Sequence, residues 1–303
     1  MEPDAVIGGF LAAAVRVATP LLLAATGETL TQRSGVLNLG LEGMMLAGAL
    51  AATLGATASG PWTGVAMAML GGMLLAAVFA LAVIGARADQ VIAGTAITLG
   101  AVGLTGTIYR QAYGAAGAGL DLPTLAPIPI PVLSALPVLG PALFTQPAPT
   151  YLGVLAVPLV WWLLFRTRAG LSLRATGEAA AVARAAGART RVIRAAATVA
   201  GGGFAGLAGA TLVLAQVGTF AERMTAGRGY VAIAIVVLGR WHPVGVAVAA
   251  LAFGAAMASQ YLFQALGLDV PYQLFLVLPY MLALLALAGV VGRVRAPGDL
   301  GRG

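Results

Sequence analysis

Few side chains in this sequence are able to carry chemistry. It contains no cysteine and no lysine, and His242 is the single histidine. A thiol nucleophile, a thiolate metal site and Schiff-base chemistry are therefore excluded. A Walker A phosphate loop is excluded too, because its lysine must reach the nucleotide phosphates. His242 stands beside Pro243 with no second ligand nearby, which is typical of a turn residue. We therefore expect no catalytic residue, metal site or cofactor.

Three polar side chains inside apolar runs are the candidates for a transport pathway. Asn38 and Glu42 are four residues apart, so they share one face of a helix. Gln90 begins another apolar run. A carboxylate within a membrane span is costly and usually faces a cavity or a partner. The alternative to a pathway role is a structural bond, for example from Glu42 to Arg33 or to nearby backbone.

The segment 176–187 is a candidate docking element. Its sequence predicts a helix of about ten residues, which Thr176 caps and Gly187 ends. A helix this short is marginal in water, so it needs a surface on which to dock. Its side chains are small, and they offer close approach to another surface. The residues concerned are Thr176, Gly177, Glu178, Ala179, Ala180, Ala183, Ala186 and Gly187. The helix docks either on a cytoplasmic partner protein or on anionic lipid headgroups. Its apolar face consists of alanine, which gains little from burial in lipid, and this favours the partner protein.

The elements that position these groups are predicted to be membrane helices. Hydrophobic residues make up 60% of the chain and charged residues 9%, whereas a soluble domain has about a quarter of its residues charged. Apolar runs of membrane-spanning length predict an all-α polytopic transmembrane helical bundle with about nine spans (8–10), some short or broken, in a single domain over 1–303. The predicted spans are 5–27, 35–57, 62–86, 90–109, 150–166, 193–216, 222–239, 244–266 and 270–292.

The arginines predict the orientation of these spans. Seven of the 17 basic residues lie between 164 and 195, with Glu178 as the only acid, so the loop 167–192 is expected in the cytoplasm. The N-terminus and the segments 110–149 and 218–230 are then outside, and the C-terminus is cytoplasmic. The net charge of +7 follows from this arginine bias, and nucleic acid is not an expected partner.

The segment 110–149 is expected to be ordered on the outer surface. It holds eight of the 16 prolines, and proline at this density forbids a spanning helix. The segment is nevertheless too apolar for a solvated linker. It forms either part of a docking face or a loop packed on the chain's own helices.

Five stretches of the sequence resemble a known family. The run Gln32-Arg-Ser-Gly-Val-Leu-Asn-Leu-Gly-Leu-Glu-Gly43 is similar to the signature of permeases in ABC importers of the branched-chain amino acid and simple-sugar superfamily. Further matches are 88–94, 130–141, 170–178 and 227–234, so the resemblance covers 10–292 in order. The nucleoside (basic membrane protein type) branch is the most similar, and the chain resembles the shorter of its two permeases.

The resemblance implies a mechanism and a set of partners. The segment 176–187 resembles the coupling helix that docks in a cleft of an ATP-binding subunit, although Gly177-Glu-Ala replaces the frequent Gly-Glu-Asn-Pro. The other partners are a second, different permease chain, an extracytoplasmic substrate-binding protein and membrane lipid. ATP is used by the partner subunit, and transport proceeds by alternating access in the bacterial cytoplasmic (inner) membrane.

The implied substrate is a nucleoside, and simple sugars or branched-chain amino acids are the alternatives. A stand-alone secondary transporter would need ion-coordinating groups near the membrane midplane. Most acids of this chain fall at span ends or in loops. A membrane-embedded enzyme would need catalytic groups that the sequence does not offer.

Overall fold

The computed structural model describes residues 3–114, 120–265 and 295–302, together with Val277, Met281 and Leu284. Within this part of the chain, the structure is mainly helical, with one two-stranded sheet. The elements are α1 (Pro3–Arg33), α2 (Leu41–Ser59), α3 (Pro61–Ala80), α4 (Gln90–Tyr113), β1 (Pro127–Pro129), α5 (Leu139–Leu143), β2 (Thr145–Pro147), α6 (Ala148–Arg166), α7 (Arg168–Glu178), α8 (Ala180–Ala185), α9 (Thr190–Thr211), α10 (Arg228–Leu238) and α11 (Pro243–Ala265).

The helices confirm a multi-pass all-α membrane protein. Seven of them within the described ranges are long and apolar enough to cross a membrane. The predicted span 222–239 corresponds to α10, whose 11 residues extend only about 16 Å at 1.5 Å per residue. This length is about half of a bilayer core. The predicted span 270–292 lies outside the described residues.

Glycine contacts hold α2, α3 and α9 together at the centre of the bundle. A Cβ built on Gly206 of α9 would overlap the carbonyl oxygen of Ala68 in α3, and one on Gly48 of α2 would overlap the Gly206 Cα. No side chain larger than hydrogen fits at either position. Small residues let helix backbones approach in this way inside membranes, which explains part of the glycine content.

Several helix ends differ from their predicted positions. Helix α1 continues through Arg33, beyond the predicted end at residue 27, because Glu28 and Gln32 are completely buried there rather than solvated. Helix α2 begins at Leu41 instead of residue 35. The intervening residues 36–40 have no regular secondary structure. Helices α3 and α9 each continue into a π-helical turn, at Leu81–Gly85 and Leu212–Val217.

The described part of the proline-rich segment contains two short strands. Strand β1 pairs antiparallel with β2, and Ile128 lies opposite Gln146. The Tyr151 hydroxyl joins the two strands, since it donates to the Ile128 carbonyl and accepts from the Gln146 N–H. Several apolar side chains between the strands remain exposed, and Val132 has 85% of its surface accessible. The described part of this segment is thus a structured surface with an apolar outer side.

Candidate coupling site

The docking element consists of two helices rather than one. The Thr167 hydroxyl accepts a hydrogen bond from the Gly170 N–H and caps the start of α7. Thr176 therefore lies inside α7, where its hydroxyl donates to the Ser172 carbonyl at 2.8 Å. The backbone breaks at Ala179 (φ −156°, ψ 85°), and α8 follows. The predicted start of a single helix at Thr176 was wrong, because threonine can also bond back to the preceding helical turn.

The residue that caps α8 is distant from it in the sequence. The Ala180 N–H donates to the Asp299 carboxylate at 2.6 Å, across 119 residues. An acidic side chain is well suited to this position, since the first N–H groups of a helix have no partner within it. Position 179 is an alanine, which cannot serve as a side-chain cap. The residues around this helix start therefore contain no local signal for it.

The predicted end of the docking element is confirmed. Gly187 has a left-handed backbone (φ +89°). The next residue, Ala188, donates its N–H to the Ala183 carbonyl at 2.9 Å. A hydrogen bond from residue i+5 back to residue i, with a left-handed glycine between them, is the Schellman motif that ends a helix.

The C-terminal residues 297–302, which we name the tail, hold the docking element against the membrane domain. The Asp299 N–H donates to the Gly177 carbonyl at 2.9 Å, and the Gly301 N–H donates to the Gly35 carbonyl at 3.2 Å. Gly177 itself packs directly on the end of α1, because a Cβ there would overlap the Arg33 carbonyl oxygen. The tail, α7 and the α1–α2 turn are thus one packed unit.

Arg194 extends this unit to α9. Its Nε donates to the Ser34 carbonyl at 3.2 Å, and one of its terminal nitrogens lies 3.9 Å from the Asp299 carboxylate. Arg194 therefore connects the α1–α2 turn with the residue that caps α8. In the sequence analysis, Arg194 was only one of the seven arginines between 164 and 195, and Asp299 was only one of the acids at span ends or in loops.

The exposed side of α8 differs from the predicted one. Ala180 and Ala183 are 8% and 5% exposed, so their small side chains pack within this chain and are not available to a partner. Val182 is 69% exposed, and Ala181, Arg184 and Ala185 are exposed beside it. Among the other predicted residues, Glu178, Ala186 and Gly187 are exposed, Ala179 is half-buried, and Thr176 and Gly177 are buried.

Asn38 and Gln90 are buried and order the backbone between α1 and α2. The Asn38 side-chain oxygen accepts from the Gly40 N–H at 3.1 Å, and the Asn38 backbone N–H donates to Glu28 at 3.2 Å. The Gln90 side-chain oxygen accepts from the Leu37 N–H at 2.7 Å. The two residues thus satisfy backbone groups that no regular element satisfies in residues 36–40.

Glu28 is the centre of a buried polar cluster that the sequence analysis missed. Its carboxylate accepts from the Gln32 side chain at 2.8 Å, and the Gln32 side-chain oxygen in turn accepts from the Trp241 indole N–H at 2.7 Å. Arg33 Nε donates to the Trp241 carbonyl at 2.8 Å. These bonds tie the end of α1 to the turn between α10 and α11.

Glu42 holds the start of the half-length helix α10. Its two carboxylate oxygens accept from the Gly227 N–H at 2.7 Å and from the Gly229 N–H at 2.6 Å. Gly229 packs so closely on Glu42 that a Cβ would lie 2.6 Å from the Glu42 Cα. An acidic group at a helix N-terminus is favourable for both its charge and its hydrogen bonds. These contacts are structural bonds to backbone, but the backbone belongs to Gly227 and Gly229 and not to residues near Glu42, and Arg33 is not the partner.

The same contact corrects the placement of 218–230 as an outer loop. Glu222 pairs with Arg110 near the end of α4, whereas Gly229 contacts Glu42 near the start of α2. The neighbouring Gly43 packs on Thr98 of α4, and the 12 residues from Thr98 to Arg110 correspond to about 18 Å of helix. The chain therefore turns back into the bundle between 222 and 229. Irregular backbone at such depth is tolerated where protein surrounds it, and Thr225 is 1% exposed.

His242 occupies the turn between α10 and α11. Its backbone N–H donates to the Gly239 carbonyl at 3.1 Å, and its ring lies 5.2 Å from that of Phe165. The pKa of His242 is lowered below its ordinary value, mainly by partial burial and to a smaller extent by the positive charge of Arg33.

Within the described ranges, no three His, Cys, Asp or Glu residues lie close enough together to hold a metal ion.

Comparison with known proteins gives the family. The model of the permease component of branched-chain amino acid transport systems matches residues 10–287. The chain is 42% identical over 262 residues to the putative glucose ABC transporter permease TsgC13 of Haloferax volcanii, covering 86% of this chain and 79% of that protein. No solved structure matches the chain.

Two further relatives cover almost the whole chain. The guanosine ABC transporter permease NupQ of Bacillus subtilis is 36% identical over 294 residues, and the nucleoside ABC transporter permease NupC of Lactococcus lactis is 30% identical over 296 residues. Each alignment covers 92% of this chain and 91% of the relative. The chain therefore belongs to the family of permease components of branched-chain amino acid transport systems, and it is an ABC transporter permease without an ATPase site of its own.

Proposed function

We propose that this chain forms part of the translocation pathway of an ATP-driven importer and receives its driving force through α8. The observation that carries this proposal is the construction of α8, a six-residue helix whose start is capped by a distant residue. Its exposed side consists of Ala181, Val182, Arg184 and Ala185, and all of these except Arg184 are small or apolar. A helix this short needs external support, and a partner's cleft would complete what the tail begins.

The contacts around α8 suggest how its movement would reach the membrane helices. A pull on α8 acts through Asp299 on Arg194 of α9 and through Gly177 on the end of α1. The end of α1 is in turn bonded to Trp241 in the α10–α11 turn. One movement of α8 would thus shift α1, α9 and the α10–α11 pair together. Rigid-body shifts of packed helices are a common basis of alternating access.

The polar residues Asn38, Glu42 and Gln90 act in this proposal as structural supports. Each satisfies backbone N–H groups of its own chain, and each is less than 10% exposed. Transport selectivity would then reside mainly in a separate extracytoplasmic substrate-binding protein. The permease needs only a pathway that opens to alternate sides, together with a second permease subunit of different sequence.

The proposed orientation puts α8 in the cytoplasm of a bacterium, with the N-terminus outside and the C-terminus inside. The seven arginines between 164 and 195 support it, since basic residues mark the cytoplasmic loops of membrane proteins. The tail packs on α7, so it lies on the same side as the coupling segment, which agrees with a cytoplasmic C-terminus.

The proposed substrate is a nucleoside, and a simple sugar is the second candidate. Two relatives that cover nine-tenths of this chain are named for guanosine and nucleosides, whereas TsgC13 is named for glucose. Uptake of radiolabelled guanosine by cells that express the complete transporter distinguishes the two. We expect unlabelled nucleosides to compete and glucose not to compete. Absence of guanosine uptake, together with uptake of radiolabelled glucose by the same cells, would replace the nucleoside by the sugar.

A further inference from the structure

A cavity of about 390 Å³ beside α8 has a strongly positive wall. It lies between the end of α3, the start of α4, α8, the start of α9 and the tail. Five arginines line it, namely Arg87, Arg184, Arg191, Arg194 and Arg302. Among the described residues, the only carboxylate in its wall is that of Asp299, which leaves a formal excess of four positive charges.

The negative charge available within the described residues does not balance this wall. Asp299 is already bonded to the Ala180 N–H and lies near Arg194. In residues 3–114, 120–265 and 295–302, no acidic side chain forms an ion pair with Arg87, Arg184 or Arg191. Like charges that converge on one cavity repel one another, and an anion between them relieves that repulsion.

The cavity also has an apolar side that continues along the membrane surface of α3. Val36, Val83 and Ile84 line the cavity next to the arginines. Along α3 and into its π-helical turn, Leu74, Val78 and Leu81 follow at helical spacing, and they are 70%, 49% and 70% exposed. Leu81 lies three residues before Ile84 of the cavity wall, so exposed apolar side chains lead along α3 towards a cationic cavity. This arrangement matches a molecule with an acyl chain and an anionic head.

We propose that this cavity binds the phosphate of an anionic glycerophospholipid. The acyl chain lies along Leu74, Val78 and Leu81, and the phosphate lies between Arg87 and Arg191. The orientation proposed above places this lipid in the cytoplasmic leaflet. The binding of the lipid to the cavity does not depend on that orientation. Because Ala180 and Ala181 also line the cavity, the bound lipid connects α3 with the coupling helix and restricts its movement.

The test measures lipid binding to the purified full-length chain in detergent by native mass spectrometry. Phosphatidylglycerol is the probe, and phosphatidylcholine is the zwitterionic control. We expect phosphatidylglycerol to remain bound and phosphatidylcholine not to. The double variant Arg87→Gln/Arg191→Gln should bind phosphatidylglycerol about 30-fold more weakly, since two arginine contacts to an anionic lipid are lost. The variant Arg168→Gln/Arg189→Gln removes the same charge from exposed positions outside the cavity, and it should bind like the unmodified chain.

Three results would overturn the proposal. Equal binding of the two lipids would show that no anionic group is recognised. Equal phosphatidylglycerol binding by the two double variants would mean that the cavity is not the site. Displacement of phosphatidylglycerol by a large molar excess of inorganic phosphate would identify a site for soluble anions. If the Arg87/Arg191 variant does not fold, the comparison of the two lipids and the phosphate competition on the unmodified chain still decide.

Discussion

The carboxylate of Asp299 caps the first turn of α8 by accepting the Ala180 N–H at 2.6 Å. These two residues are 119 positions apart, so a residue distant in the sequence determines where α8 begins. The same carboxylate lies 3.9 Å from Arg194. Asp299 is therefore the point at which α8, α9 and the tail meet.

Replacement of Asp299 by alanine should loosen α8. Loss of a helix cap costs about 1 kcal/mol. The fraction of molecules in which α8 is locally unfolded therefore rises about fivefold. Hydrogen–deuterium exchange should therefore become about fivefold faster for the amides of α8. The matched control is Asp299→Asn, which keeps a side-chain oxygen for the cap and should exchange almost like the unmodified chain. Unchanged exchange in Asp299→Ala would contradict the capping role.

Substitutions on the two sides of α8 should have different effects. Ala183 is buried, so Ala183→Trp overpacks the chain itself and should lower its thermal stability by about 1–3 kcal/mol. Val182 is exposed, so Val182→Asp should leave the permease stable. It should reduce co-purification of the ATP-binding subunit, because an interface would bury an unpaired charge.

The control for the exposed side is Val182→Ala, which removes bulk without adding charge. It should retain the ATP-binding subunit almost completely. If Val182→Asp retains as much of the subunit as Val182→Ala, α8 does not dock through this side.

Glu42→Ala should destabilise the protein, because it leaves the buried Gly229 N–H and the half-buried Gly227 N–H without their partner. Each unsatisfied buried donor costs about 1–3 kcal/mol. The measurement is the apparent Tm of the detergent-solubilised chain. Glu222→Ala is the control on the same segment; its carboxylate is half exposed and pairs with Arg110, so its loss should cost less than about 1 kcal/mol. An unchanged Tm in Glu42→Ala with transport abolished would instead indicate a pathway role.

Orientation can be tested directly because the chain has no cysteine. Ala181 and Thr124 are both exposed, so a single cysteine at either position should react with a membrane-impermeant maleimide. We expect Ala181→Cys to react only from the cytoplasm and Thr124→Cys only from outside. Reaction of both from the same side would refute the proposed arrangement of spans.

The sequence predicted the long helices well and the broken ones poorly. Spans such as α3 and α6 follow from continuous apolar runs, which a membrane requires. The half-length α10 and the buried turn before it depend on Glu42, which bonds to Gly227 across 185 residues. No local pattern encodes such a bond, and a glycine-rich polar stretch resembles an outer loop when it is read alone.

The candidate docking element 176–187 shows the same limit. Its position followed from the arginine-rich loop, and its end followed from Gly187. Its division into α7 and α8 did not, because the break depends on Asp299 and on the packing of Gly177 against Arg33. Nor could spacing reveal which alanines face outward, since the tail covers part of the helix.

The most direct test of the central claim is ATP-dependent uptake of radiolabelled guanosine into proteoliposomes. The vesicles contain this chain, its partner permease and the ATP-binding subunit, and the substrate-binding protein is supplied outside. We predict uptake that requires both ATP and the ATP-binding subunit and that is strongly reduced by Val182→Asp but not by Val182→Ala. Equal uptake without the ATP-binding subunit, driven by an imposed ion gradient, would contradict the claim that this chain is driven through α8.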